Sequence, residues 1–127
     1  MTIMECAEYM VLRCEWLKKP ITNNRLNLLI FMLQLELKRK YGKRIEGTAS
    51  QRGPLPTFHD CYSAFLIYGA LPIQRRLSYE KEKAIRNMAS DELGEEELQF
   101  VNHYIDTFCD VPMSGLYELY EREKCFA

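Results

Sequence analysis

Thr22-Asn-Asn-Arg-Leu26-Asn-Leu-Leu-Ile-Phe-Met-Leu-Gln-Leu-Glu-Leu37-Lys38-Arg39-Lys40 is the stretch on which the fold turns. Nine of the twelve residues from Leu26 to Leu37 are apolar. A helix of that composition is wrapped on most sides and forms the centre of a core. The Thr22 hydroxyl is placed to accept from an orphan backbone N–H. Ile21 and Leu26 are spaced as a hydrophobic staple across that cap. Lys38, Arg39 and Lys40 suit the negative end of the helix dipole, and Tyr41-Gly42 is a C-terminal stop. The apolar run is interrupted by Asn27, Gln34 and Glu36, so it falls short of the roughly 18 uninterrupted residues of a membrane span.

Upstream, Met4, Ala7, Met10, Val11, Cys14 and Leu17 recur at steps of three and four, the apolar face of a first helix that Pro20 stops. Downstream, glycines and prolines punctuate Lys43 to Pro56, where Ile45 and Thr48 suit short strands; a small hairpin or irregular arm is expected. A third helix is expected after Pro56, capped by Thr57, with Phe58, Cys61, Tyr62, Phe65 and Leu66 inward and an end at Tyr68-Gly69. Ala70 to Tyr79 is a connector. Glu80–Ala89 is a short helix and Gly94–Cys109 a longer one, with Leu98, Val101, Ile105 and Phe108 on one face. Pro112 opens a final helix carrying Leu116, Leu119 and Tyr120. The expected fold is thus mainly α: a single compact domain over residues 1–127, of about five to six helices, with the arm between helices two and three.

The 127 residues are 47% apolar and 28% charged, which excludes disordered and collagen-like classes. The net charge of −1 argues against a nucleic-acid coat protein. That total is a cancellation: residues 1–76 carry +6 and residues 77–127 carry −7. Such polarity either steers a charged partner or pairs internally. Cys6, Cys14, Cys61, Cys109 and Cys125 are odd in number, and the opening residues, with Glu5 and Glu8 among them, do not read as a leader, so buried reduced thiols in a cytoplasmic protein are expected.

No constellation specifies a reaction. His59 with Cys61 and His103 with Cys109 lack the tight spacing of a metal site, and core or surface placement is the better account. The acidic group Asp91, Glu92, Glu95, Glu96 and Glu97 fits a solvated helix start. Neither a phosphate loop nor a base-stacking platform is present. No enzyme activity, cofactor or metal is expected. The cluster Lys38, Lys40, Lys43, Arg44 and Arg52 is the candidate partner-binding surface.

Four short motifs in order add a resemblance: Leu26-Asn-Leu-Leu-Ile-Phe31, Tyr41-Gly42, Arg52-Gly-Pro-Leu-Pro56 and Phe65-Leu-Ile-Tyr68-Gly69. With the tail Leu93–Val101 and Ser114-Gly-Leu116, the chain resembles the Panacea domain, the SocA-like or phage-associated protein family, over about residues 4 to 120. Leu28 stands where that family often has Lys, and Arg52 where an aromatic commonly precedes Gly-Pro. The resemblance implies a helical domain of phages and mobile elements that acts as an antitoxin or adaptor by binding a toxin, a protease or a host defence effector. An alternative is an inhibitor of a host defence nuclease, whose acidic half imitates phosphate charge. A DNA-binding regulator reading with Thr22 to Lys40 is less favoured because that helix is so apolar. Nucleic acid and membrane are not expected partners; homo-oligomerisation is left open.

Overall fold

A computed structural model describes residues 1–124. Five helices and one hairpin occur among them, in the order α1 (Ile3–Trp16), α2 (Asn23–Tyr41), β1 (Ser50–Arg52), β2 (Leu55–Thr57), α3 (His59–Ala64), α4 (Tyr79–Phe108) and α5 (Met113–Lys124). A single 3-10 turn, Leu66–Tyr68, follows α3. The mainly helical expectation, with a two-stranded element between helices two and three, is what the chain adopts. Cys125 lies outside the described residues.

The centre is α2, as its composition demands. Leu26, Leu28, Leu29, Ile30, Leu33 and Leu37 are fully buried, and α1, β2, α3, α4 and α5 all pack against them. The Thr22 cap forms, its Oγ1 accepting from the Arg25 N–H at 3.3 Å, and Ile21 is buried beside Leu26. The buried faces of this helix carry polar residues as well. Asn23 and Asn27 are both buried, and their amides are bonded. Asn27 donates to the Asn23 carbonyl and Oδ1 at 2.9 Å each, while its own Oδ1 accepts the Phe58 N–H at 2.9 Å. Asn23 donates to the Tyr62 carbonyl at 2.9 Å. Two amides one turn apart therefore hold the entry to α3 against α2.

That arrangement revises the third helix. Thr57 does not cap it: Thr57 is the last residue of β2 and Phe58 is the N-cap, with no side-chain cap bond of its own. The function of a cap passes to Asn27, from another helix. Phe58, Cys61 and Phe65 face inward, but Leu66 is 55% exposed because α3 ends at Ala64 and the 3-10 turn rotates the next residues outward. The hairpin is shorter than the arm. β1 and β2 pair antiparallel around Gly53-Pro54, with Gln51 opposite Pro56, while Ile45 and Thr48 lie outside both strands. Ile45 is buried instead, and Glu46 makes a lone parallel bridge to Thr2.

Helix α1 opens on a capping box in which Thr2 Oγ1 accepts from the Glu5 N–H and Glu5 Oε1 accepts from the Thr2 N–H. It is buried on more than one stripe, since Ile3, Cys6, Tyr9 and Leu12 join the expected face. It ends at Trp16, a turn before Pro20, in a Schellman arrangement: Lys18 N–H donates to Glu15 O at 3.0 Å and Lys19 N–H to Cys14 O at 2.8 Å. Lys18 occupies the left-handed position of that motif with φ 60°.

The two helices expected over Glu80–Ala89 and Gly94–Cys109 are the arms of α4. The first runs on to Leu93, whose side chain is buried, and the only non-helical residue between the arms is Gly94, at φ 78° and ψ 177°. That backbone region is open essentially to glycine alone. The second arm packs Val101, Tyr104 and Ile105 into the core, and α5 adds Leu116 and Tyr120, the latter edge-on to Phe31 at 5.7 Å. The connector before α4 is tied down by Ile73, whose N–H donates to Ile21 O at 2.8 Å, and by Arg75, which bonds Glu8.

Two stability measurements follow from this geometry. Asn27→Ala leaves the buried Phe58 N–H without a partner, and a loss of about 2–3 kcal/mol is expected in urea unfolding, with the slope unchanged. Lys18→Gly removes a side chain from the left-handed position and is expected to raise stability by about 0.5–1 kcal/mol.

Candidate interaction surface

The last turn of α2 presents Lys38, Arg39 and Lys40, and Gly42 closes it by donating to the Lys38 carbonyl at 3.2 Å. The chain then folds back along α2. Gln34 fixes it there, donating to the Ile45 carbonyl at 3.0 Å and the Gly47 carbonyl at 2.8 Å. Close passage continues at Gly47, where a Cβ would meet Ile3 Cγ1 at 2.4 Å. Between α2 and this returning arm lies a groove of about 310 Å³. Phe31 and Leu35 form its apolar side, and Lys38, Lys43 and Arg44 line it as well.

Lys38, Lys43 and Arg44 therefore converge on one groove. Lys40 extends over two rings, 4.8 Å from the centroid of Phe100 and 5.5 Å from that of Tyr41. Arg52 belongs to β1, its backbone paired with Leu55 across the hairpin. Within the groove, Arg44 is already engaged: its Nε donates to both carboxylate oxygens of Glu97, at 2.9 and 3.0 Å. Lys38 and Lys43 are exposed and, among the described residues, have no carboxylate within 4 Å.

The opposed charges of the two parts of the chain pair with one another. Arg13 grips Asp106 with two bonds of 2.7 Å, Lys19 meets Asp110 at 3.1 Å, Arg39 meets Glu123 and Arg44 meets Glu97. Hydrogen bonding to Lys19 holds the Asp110 carboxyl below its ordinary range. Burial, with Glu123 close by, lifts that of Glu36. The acidic group on α4 is partly consumed as well. Glu97 is bonded to Arg44, Glu92 lies 3.3 Å from the Met1 amine, and Glu96 accepts from the Tyr41 hydroxyl at 3.4 Å. Asp91 and Glu95 are exposed.

His59 and His103 are exposed, whereas Cys61 and Cys109 are buried, so the two His/Cys pairs do not assemble. Among the described residues no three His, Cys, Asp or Glu side chains are grouped so as to hold a metal ion. Cys6, Cys14, Cys61 and Cys109 are buried free thiols, as expected. Burial pushes Cys6, Cys14 and Cys61 up to about 12 and raises Cys109 too. Among the described residues no helix is long and apolar enough to cross a membrane. No protein-family model, curated protein or solved structure matches the chain.

Sequence reasoning located the cations but not what separates them. The apolar side of the groove, Phe31 and Leu35, is invisible in a run where almost every residue is apolar. The one available signal was Gln34, a polar interruption of that run, which proves to hold the arm.

The thiols supply a direct check. A thiol reagent at pH 8 is expected to label Cys6, Cys14, Cys61 and Cys109 only after denaturation. Their folded-state values lie above the ordinary 9.0, so their contribution to stability is complete below about pH 9 and is lost as the pH rises towards 12. A urea midpoint that falls across that alkaline window, less steeply when Cys6 is replaced by Ala, is the expected result.

Proposed function

We propose that this chain is a non-enzymatic protein-binding module of the phage or mobile-element type, an antitoxin or adaptor that binds and neutralises a partner protein. The groove beside the end of α2 is its contact site. The observation that carries this reading is the combination of an apolar wall, Phe31 and Leu35, with the unpaired cations Lys38 and Lys43. A surface of that kind suits a partner segment bearing an apolar anchor next to acidic residues. The resemblance to the Panacea domain supports the same reading, since its members act through partner proteins.

Arg44 belongs to the site as a positioning residue. Its bond to Glu97 ties the arm to α4. Lys38 and Lys43 contribute charge without carrying the fold. The double variant Lys38→Glu, Lys43→Glu separates these roles. It is expected to retain the thermal midpoint and to recover at least about tenfold less partner from host lysate than the unaltered chain, a loss of about 1.4 kcal/mol in binding. The activity of the recovered protein is then inhibited by the unaltered chain and not by the variant. Equal recovery and equal inhibition by both would refute the groove as the contact site.

A further inference from the structure

Three charged side chains close the seam between α2 and α5 at its outer end. Arg39, in the last turn of α2, donates from the single atom Nη1 to Glu36 Oε1 at 2.7 Å and to Glu123 Oε2 at 2.5 Å. Glu36 stands one turn earlier on α2, and Glu123 belongs to the last turn of α5. Two carboxylates on one guanidinium nitrogen are close neighbours, and one positive charge cannot balance both. Deeper in the seam the contacts are apolar. Leu116 and Tyr120 of α5 are buried, and the Tyr120 ring meets Phe31 of α2 edge-on. Beyond Tyr120 no described side chain of α5 is buried, so the hold of its last turn on α2 falls to the charged group.

The surroundings of Glu36 supply charge from three helices. From α5 come Glu123 and Arg122, which line one cleft of about 400 Å³ with Arg39 and Leu119. From α4 comes Tyr104, whose phenol stays protonated because burial and the two carboxylates all raise it. On α2 itself Arg39 is bonded to Glu36, while Lys40 is drawn off to the Phe100 and Tyr41 rings. Glu121 is engaged within α5 by Lys124 at 2.9 Å. Burial first, and then the charge of Glu123, lift the Glu36 carboxyl above the ordinary 4.5, and the opposing pull of Arg39 does not cancel them. The side chains of Glu36 and Glu123 are 31% and 21% exposed, so protons of the solvent reach both.

We propose that Glu36, Arg39 and Glu123 form a pH-sensitive latch that holds the end of α5 on α2 more tightly in mild acid than at neutral pH. In mild acid the two carboxylates share one proton: Glu36 donates it to Glu123, Arg39 bonds both, and the group as a whole is neutral. As the pH rises the proton passes to water. The group then carries one excess negative charge, and the last turn of α5 loosens. When α5 is released, Glu36 loses both the burial and the neighbour that raise it. The closed state therefore binds the proton more tightly, so this contribution is complete below 4.5 and is lost as the pH rises through the higher folded value. Asp110, held low by Lys19, acts in the opposite sense on the fold as a whole, and the latch is accordingly read on α5 alone. The proposal is independent of the partner-binding reading.

Amide hydrogen exchange on the full chain at about pH 5 and about pH 7, corrected for the intrinsic pH dependence of exchange, tests the proposal. Protection of α5 relative to α1 is expected to be at least about threefold higher at the lower pH. Glu36→Gln puts an amide N–H in place of the shared proton. It is expected to raise the protection of α5 at neutral pH by a similar factor and to remove the difference between the two pH values; Glu123→Gln is expected to do the same. Carbon-13 shifts of the glutamate carboxyls supply a second readout, which a merely structural ion pair would not move. The Glu36 midpoint is expected above 4.5 in the unaltered chain and closer to 4.5 in Glu123→Gln. Equal protection at both pH values, a pH difference that survives in Glu36→Gln, or a Glu36 midpoint at or below 4.5 overturns the proposal. The exchange and titration of the unaltered chain decide it even where a variant fails to fold.

Discussion

The amide of Asn27 holds together what the rest of the structure depends on. Helix α2 is apolar on nearly every side, so α1, β2, α3, α4 and α5 all press upon it. Hydrophobic burial of this kind is non-directional and admits many ways of wrapping. A buried amide is directional, because its donors and acceptor each require a partner at hydrogen-bond distance. Asn27 meets that requirement through Asn23 and the Phe58 N–H, and Asn23 through the Tyr62 carbonyl. Once those bonds are made, the strand leading into α3 has one place to run. The returning arm is held by Gln34, and the connector after the turn at residues 66–71 by the bond of the Ile73 N–H to the Ile21 carbonyl.

Charge then distributes itself in two ways. Where a basic residue of the first 76 meets an acidic residue beyond it, as in Arg13–Asp106, Arg39–Glu123 and Arg44–Glu97, the polarity of the chain is spent on joining α1, α2 and the arm to α4 and α5. Exposed pairs of this sort contribute little each to stability, on the order of 0–1 kcal/mol. Their effect is on register: each brings a particular turn of one helix opposite a particular turn of another. Lys38 and Lys43 are among the cations that no carboxylate of the described residues meets, and they lie beside the apolar side chains of Phe31 and Leu35.

Much of this was legible in the sequence, and the reasons for success and failure are local. Caps and stops depend on residues within a few positions of each other, so Thr22, Ile21 and Gly42 could be recognised one by one. The apolar periodicity of α2, and of the second arm of α4, needs only the helical repeat. Thr57 misled because a hydroxyl before a helical run is ordinarily its cap. Here Thr57 pairs in β2, and the bond arrives from Asn27, thirty-one residues earlier. Leu66 misled because apolar character says nothing about the rotation introduced by a 3-10 turn. The basic cluster was found as a run of charges, yet neighbours in sequence diverge: Lys38 and Lys43 reach a groove, while Lys40 covers the Phe100 ring.

By itself, then, the sequence determined the elements: a central apolar helix, amphipathic helices around it, a Gly-Pro hairpin, buried thiols and two parts of opposite charge. These are consequences of spacing, propensity and composition, which act over a few residues. The tertiary structure decided which charges cancel and which stay free, which apolar side chains remain in solvent, and where a groove opens. Those outcomes depend on which partners a side chain meets across tens of residues of chain. That pairing exists only once the chain has closed around α2.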